Sequence, residues 1–253
     1  MFRKMFASLG IGGARVETHL TTPTVAPGSS VQGHTTIYGG DVEQTIESLE
    51  IVLNTSYVRE GDDQSWTEQW ILFRQPIAHS MAVHPGAQQT IPFQIPVPFE
   101  TPLTIGHQPV SVYTDLNIAG GVDSTDHDAL EVMPHPTMQR TFDAIQSLGF
   151  SLYSTKCAYH PHRGRSVPFM QEFEFRPYGG AAARVEEIEV VFDLGPTELE
   201  ILLEVDRRGR GLGGWFESMT ETNERVMRLR VPHAIDQQSL AGTLHSAIQR
   251  AAA

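Results

Sequence analysis

The chain alternates between apolar and polar residues in run after run, and the clearest runs sit near its centre. Ile91, Phe93, Ile95 and Val97 share one parity, with Pro92, Gln94, Pro96 and Pro98 between them. A period of two puts successive side chains on opposite faces, so this stretch reads as a strand with one buried face. Proline has no N–H to give to a ladder, which predicts an edge strand or a strand running off into a loop. A Pro85-Gly86 turn precedes it. After Gly106, Val112, Thr114, Leu116 and Ile118 take one face, Tyr113, Asp115 and Asn117 the other, and Gly120-Gly121 ends the run. Upstream, Val16, Thr18 and Leu20 alternate with Glu17 and His19. Turns at Pro27-Gly28 and at Gly39-Gly40-Asp41 bracket a strand over 31–38. Leu49, Ile51, Leu53, Thr55 and Tyr57 form one face of a long strand, which a polar loop at 60–65 separates from a strand over 70–77 that ends near a proline. Short strands parted by Gly, Pro and Asp turns indicate a β-sandwich.

Residues 134–149 break this rhythm. Met138, Phe142, Ile145 and Leu148 follow helical spacing, Pro136 suits a first turn, and Gly149 suits the position past the end. The domain boundary is therefore placed just before this helix, giving domains 1–133 and 134–253. Strands resume at Phe150. Phe169, Phe173 and Phe175 alternate with Met170, Glu172 and Glu174. Ile188, Val190 and Phe192 alternate with Glu187, Glu189 and Val191, and Leu199, Ile201, Leu203 and Val205 with Glu200, Leu202 and Glu204. That pattern predicts one buried face and one acidic, solvated face. Gly195-Pro196 joins the last two of these strands as an antiparallel hairpin, and residues 226–231 read as a final strand. Phe2, Met5, Phe6 and Leu9 outline a short N-terminal helix, read as a lid on an open sandwich end or as a membrane-surface anchor flanked by Arg3 and Lys4. Asp236 caps a C-terminal helix striped by Leu240, Leu244 and Ile248. The expected fold is mainly β: two tandem β-sandwich domains with a short N-terminal helix, an interdomain helix and a C-terminal helix.

Five segments carry a family resemblance. IPFQIPVPFETPLT and VDSTDHDALEV carry most of it, with GIGGARVETHL, GGDVEQTIESLEIVLNTSYVRE and LEILLEVDRRGRGLGGWF elsewhere. Together they resemble the sporulation-control protein M (SpoOM) family, which is arrestin-like, and they cover most of the chain. The resemblance implies two arrestin-like sandwiches. It also implies a bacterial regulator of sporulation, development or cell-cycle progression, with contacts to cell-division or cytoskeletal proteins. None of these motifs is an enzyme signature.

Composition narrows the function further. The chain has 253 residues, 40% hydrophobic and 19% charged, as expected of a globular protein. A net charge of −12 argues against nucleic acid, whose nonspecific affinity comes from Lys and Arg on phosphates, and against anionic lipid except peripherally. No apolar run approaches the roughly 20 residues of a membrane-spanning helix. The N-terminal apolar run is too short for a secretory signal. The single Cys157 allows no disulfide within the chain, which fits a reducing compartment, and the cytoplasm is the expected location.

Several residue groups have candidate chemistry. Asp123, Asp126, Asp128 and Glu131 form the densest acidic cluster. It reads as a solvated linker, as oxygen ligands for Ca²⁺, or, as the arrestin resemblance implies, as an interdomain polar network with arginines such as Arg163, Arg165 or Arg176. His160-Pro161-His162 lacks a metal-ligand signature and reads as a surface loop, and His79 and His84 flank another turn. Cys157 reads as a buried thiol. Arg207, Arg208, Arg210, Trp215 and Phe216 mark the one basic segment, read as a partner anchor or as a hairpin loop folded back on its sheet. The resulting expectation is a cytoplasmic, non-enzymatic adaptor or scaffold with protein partners, no metal and no cofactor. The alternatives are a metal-dependent hydrolase built on the His and Asp clusters, and a Ca²⁺-assisted carbohydrate or lipid binder using exposed aromatics such as Trp66 and Trp70.

Overall fold

The computed structural model describes residues 12–61, 64–160, 165–178, 185–207 and 226–252. The chain divides into two compact units. The first comprises the described parts of Met1–Ser56, Gln69–Thr104 and Pro109–Met133, and the second those of Tyr57–Glu68, Ile105–Gln108 and Pro134–Ala253. Residues 57–68 and 105–108, which the sequence pattern groups with 1–133, thus belong to the second unit.

The first unit is two layers of β-structure. One layer has the order β1 (Arg15–Leu20), β3 (Ser30–Tyr38), β6 (Gln88–Pro96), all antiparallel. The proline-bearing β6 lies at the edge, as the missing N–H groups require. The other layer pairs β4 (Gln44–Glu60) with β7 (Val110–Ile118), and β7 with β8 (Ser124–Ala129); β5 (Ser65–Val83) pairs with the other side of β4. A short parallel pair joins β2 (Thr24–Val25) to β9 (Glu131–Val132). The core fills the space between the layers: Val16 and Ile37 from one sheet meet Ile46, Leu49, Leu116 and Ile118 from the other. Strict alternation of buried and half-buried residues along β7 turns Leu116 and Ile118 into that core. Two expectations change here. The acidic stretch after Gly121 is the strand β8 and not a linker, and β5 is 19 residues long, Ser65–Val83, instead of spanning 70–77.

The second unit contains an antiparallel meander of β10 (Phe150–Tyr159), β11 (Phe169–Pro177), β12 (Val185–Leu194), β13 (Glu198–Arg207) and β14 (Val226–Pro232). The tip of the β4–β5 hairpin adds a parallel contact, Val58 beside Ala158. Helix α1 (Pro136–Ser147) and helix α2 (Gln237–Ala252) supply the other layer. Both match the sequence pattern: Gly149 follows α1 with φ +94°, and the Asp236 carboxylate caps α2 by accepting the Ser239 N–H at 2.9 Å. Phe142 of α1 packs on Phe173, Phe175 and Phe192, with ring centroids 5.1–5.9 Å apart. Among the described residues the apolar face of this sheet is thus covered by helices and not by a second sheet. None of the helices described is long and apolar enough to cross a membrane. The expected N-terminal helix lies outside the described residues.

Candidate functional sites

The acidic motif is built into the first unit. Ser124, Asp126 and Asp128 alternate along β8 and so point the same way. Ser124 Oγ accepts the Val16 N–H at 3.1 Å, and Asp126 Oδ2 accepts the Thr18 N–H at 2.6 Å. Side chains at period two thereby meet backbone donors at period two on β1, and join the edges of the two layers. The Thr18 hydroxyl continues inward to Thr35 at 2.9 Å and Thr114 at 2.7 Å. Asp123 accepts the Ile118 N–H at 2.9 Å, and Glu131 accepts from Thr24 Oγ1 at 2.8 Å. Burial, then the neighbouring Asp126 charge, push the Asp128 carboxyl above the usual range. The hydrogen bonds of Asp123 and Asp126 therefore stay within the first unit. The arginines named as their partners pair in the second: Arg165 with Asp193 at 2.9 Å, and Arg176 with Glu174 at 2.7 Å and Glu187 at 3.7 Å. Arg163 lies outside the described residues.

His160 is buried, His84 pairs with Glu43 at 2.8 Å on the surface, and His79 is exposed on β5. Among the described residues no group of three or more His, Cys, Asp and Glu is placed to hold a metal ion. His162 falls outside them. Cys157 is buried, and burial followed by the nearby Glu172 charge raises its thiol far above the ordinary value, the reverse of what a nucleophile needs.

The face of the second sheet opposite the helices is more buried than its acidic sequence implies. Glu174, Glu189 and Glu204 lie directly opposite one another on β11, β12 and β13, and Glu187 lies beside Asp206. Like charges paired across strands are unfavourable. Glu187 is nevertheless only 4% exposed. Glu189 is pushed up to about 8 by desolvation and then by Glu172, Glu204, Glu187 and Glu174, and Glu172 to about 7 by desolvation. A carboxyl raised in this way favours the fold while protonated, so its contribution is present below the ordinary Glu value and is lost as pH rises through about 8. Glu189→Gln, which cannot ionise, is expected to raise Tm by roughly 2–4 °C above pH 8 and to leave it unchanged near pH 5, as read by thermal melts across pH.

The hairpin tip carries a group that the sequence pattern did not assemble. Arg59 of β4 stacks 4.1 Å from the Tyr159 ring centroid, and Glu68 of β5 accepts from Tyr57 Oη and from Trp66 Nε1, the latter at 2.9 Å. Burial and Glu68 push the Tyr57 phenol up to about 12. Trp66 stays 44% exposed, and Ile71, five residues further along the same strand, 47%. Tyr57 and Arg59, two apart, and Trp66 and Glu68, two apart across a polar loop, were the available signal. Of the basic segment, Arg208, Arg210, Trp215 and Phe216 lie outside the described residues, as does the side chain of Arg207 at the end of β13.

The family model described as SpoOM protein matches residues 2–209. The chain belongs to the SpoOM family. It is 40% identical over 230 residues to the sporulation-control protein Spo0M of Bacillus subtilis (strain 168), covering 90% of this chain and 89% of that protein. The crystal structure of Spo0M from Bacillus subtilis superposes with a TM-score of 0.88 and 36% identity, covering 95% of this chain and all of that one. The chain is therefore a homologue of a sporulation-control protein along nearly its whole length. The SpoOM resemblance stated from IPFQIPVPFETPLT and VDSTDHDALEV holds.

Proposed function

We propose that this SpoOM-family protein is a cytoplasmic sporulation regulator that works as a non-enzymatic adaptor or scaffold for protein partners. The observation that supports this reading is the 40% identity, over 90% of the chain, to the Bacillus subtilis sporulation-control protein. Scaffolding is supported by surface chemistry. Trp66, Tyr153 and Tyr178 are large, exposed and aromatic, and Trp and Tyr dominate interface hot spots. The −12 net charge directs the choice of partner away from nucleic acid. The basic stretch with Arg207, Arg208, Arg210, Trp215 and Phe216 is a proposed contact on composition alone, and cell-division or cytoskeletal proteins are the proposed partners.

Two measurements test the reading. Expression of the chain in Bacillus subtilis lacking Spo0M should restore sporulation efficiency. Capture by the full chain from sporulating cells, confirmed reciprocally, should recover a defined protein, with recovery falling about tenfold for Trp66→Ala or Trp215→Ala. Restoration without any reciprocal partner would reject the scaffold; no restoration by a folded, expressed chain would reject the sporulation role.

A further inference from the structure

We propose that His135 and His233 form an acid-released latch that fastens the start of α1 to the loop leading into α2. The two imidazoles lie with centroids 4.6 Å apart, and a hydrogen bond commits His135 to the neutral form. His135 is the N-cap of α1, and its Nδ1 accepts the Thr137 N–H at 3.3 Å. That nitrogen must carry a lone pair. On the other ring, Thr137 Oγ1, which accepts from Arg140 Nη2 at 3.1 Å, shares a hydrogen bond with His233 Nδ1, also at 3.1 Å. His233 Nε2–H donates to the Gly195 carbonyl at 2.9 Å, since a carbonyl can only accept. Arg140 Nη2 also donates to the His233 carbonyl at 2.7 Å, and Gln237 of α2 donates to the Arg140 carbonyl at 3.1 Å. One knot thus ties α1, the loop before α2 and the β12–β13 turn.

Acid undoes this arrangement at an identifiable atom. A proton on His135 Nδ1 sets a donor against the Thr137 N–H and removes the cap. The resulting cation sits at a helix N-terminus, against the dipole, with Arg140 and His233 beside it. Among the described residues the charges that act on His135 are those of His233 and Arg140, and no carboxylate is among them. From α1 the cation faces Arg140. In the loop, Asp236 is committed to Ser239 as the cap of α2. Flanking the β12–β13 turn, Asp193 is held by Arg165 and Glu198 lies beside Arg230. Desolvation, then His233 and Arg140, accordingly hold His135 below the usual histidine value. The sign follows: a histidine depressed in the fold contributes stability that is present above the ordinary value of about 6.5 and lost as pH falls through the folded value.

The test is amide hydrogen exchange of the full chain over 136–147, corrected for the intrinsic rate, from about pH 7.5 to about pH 5, where one coupled proton accelerates opening by up to about tenfold per pH unit. Wild type should accelerate in this way. His135→Asn, which keeps an N-cap acceptor and cannot be charged, should stay flat. Equal acid acceleration in the Asn variant would overturn the latch. Imidazole nitrogen chemical shifts of the unmodified chain give a second reading that needs no variant. They should report a hydrogen on Nε2 of His233 and a His135 midpoint coinciding with the loss of α1 protection. A His135 that becomes charged while α1 amides stay protected would overturn the latch equally.

Discussion

Phe173→Ala is expected to bring the second unit close to unfolding. Phe173 is fully buried on β11 and meets Phe142 of α1 at 5.1 Å and Phe192 of β12 at 5.4 Å. It sits between the helical layer and the neighbouring strand, touching both. Truncating a buried Phe removes its transfer free energy and leaves a void that close-packed rings refill poorly, a loss of about 3–5 kcal/mol. Domains hold only about 5–15 kcal/mol in total. A fall in Tm on the order of 15 °C follows for a unit of this size. Both helices described lie in this unit, so loss of far-ultraviolet helical signal reports its melting. Phe173→Leu, which leaves a smaller void, should lose about half as much or less. Melting of the Ala variant within a degree or two of wild type would show that the aromatic stack is not what fixes α1 to the sheet.

What the sequence made legible is what depends on near neighbours in the chain. The strand at Val112–Ile118 could be read residue by residue, because its alternation is strict and one face is core. The prolines of β6 announced an edge, and Pro136 with Gly149 announced both ends of α1. The misses share a different cause. No hydrophobic alternation marks Ser124–Ala129 as a strand. It is one because β7 pairs with it and because its side chains reach β1, whose Thr18 is 108 residues away. The pattern ends a strand at Ile77, near a proline, yet β5 runs on to Val83: it pairs with β4 alone among the described residues, and an edge tolerates a missing N–H. The Phe142 stripe was visible, but its destination, a sheet otherwise expected to face a second sheet, was not. Charge partners were also beyond reach: composition lists the arginines near Asp126 in number, and only the fold shows that Arg165 and Arg176 are engaged elsewhere. Glu187 and Glu189 looked solvated because acidic residues usually are, and only cross-strand register reveals how many carboxyls share that face.

Asp126→Ala is expected to cost the first unit about 2–3 kcal/mol, because it removes a charge-assisted bond and leaves a backbone donor at the seam between the two layers without its acceptor. The bond in question is the 2.6 Å contact from Thr18 N to Oδ2. Thr18 is also the outer member of the hydroxyl chain to Thr35 and Thr114, so a shift of β1 disturbs two buried hydroxyls besides. Asp126→Asn should cost only about 1 kcal/mol, since an amide oxygen still accepts, though without the charge. The Asn variant also removes one of the causes that raise Asp128. A raised carboxyl loses its favourable protonated form as pH rises, so with Asp126 neutral less stability is lost on going from acid to neutral pH. The Asn variant should therefore come closer to wild type above neutrality than below it. Glu131→Ala, which removes an exposed bond to Thr24, is the control and should cost within about 0.5 kcal/mol. Urea midpoints of the three variants, with exchange rates at the Val16 and Thr18 amides, measure the ordering directly. If Asp126→Ala unfolds no earlier than Glu131→Ala, the two layers are held by their apolar core alone, and the acidic motif of β8 has no part in closing them.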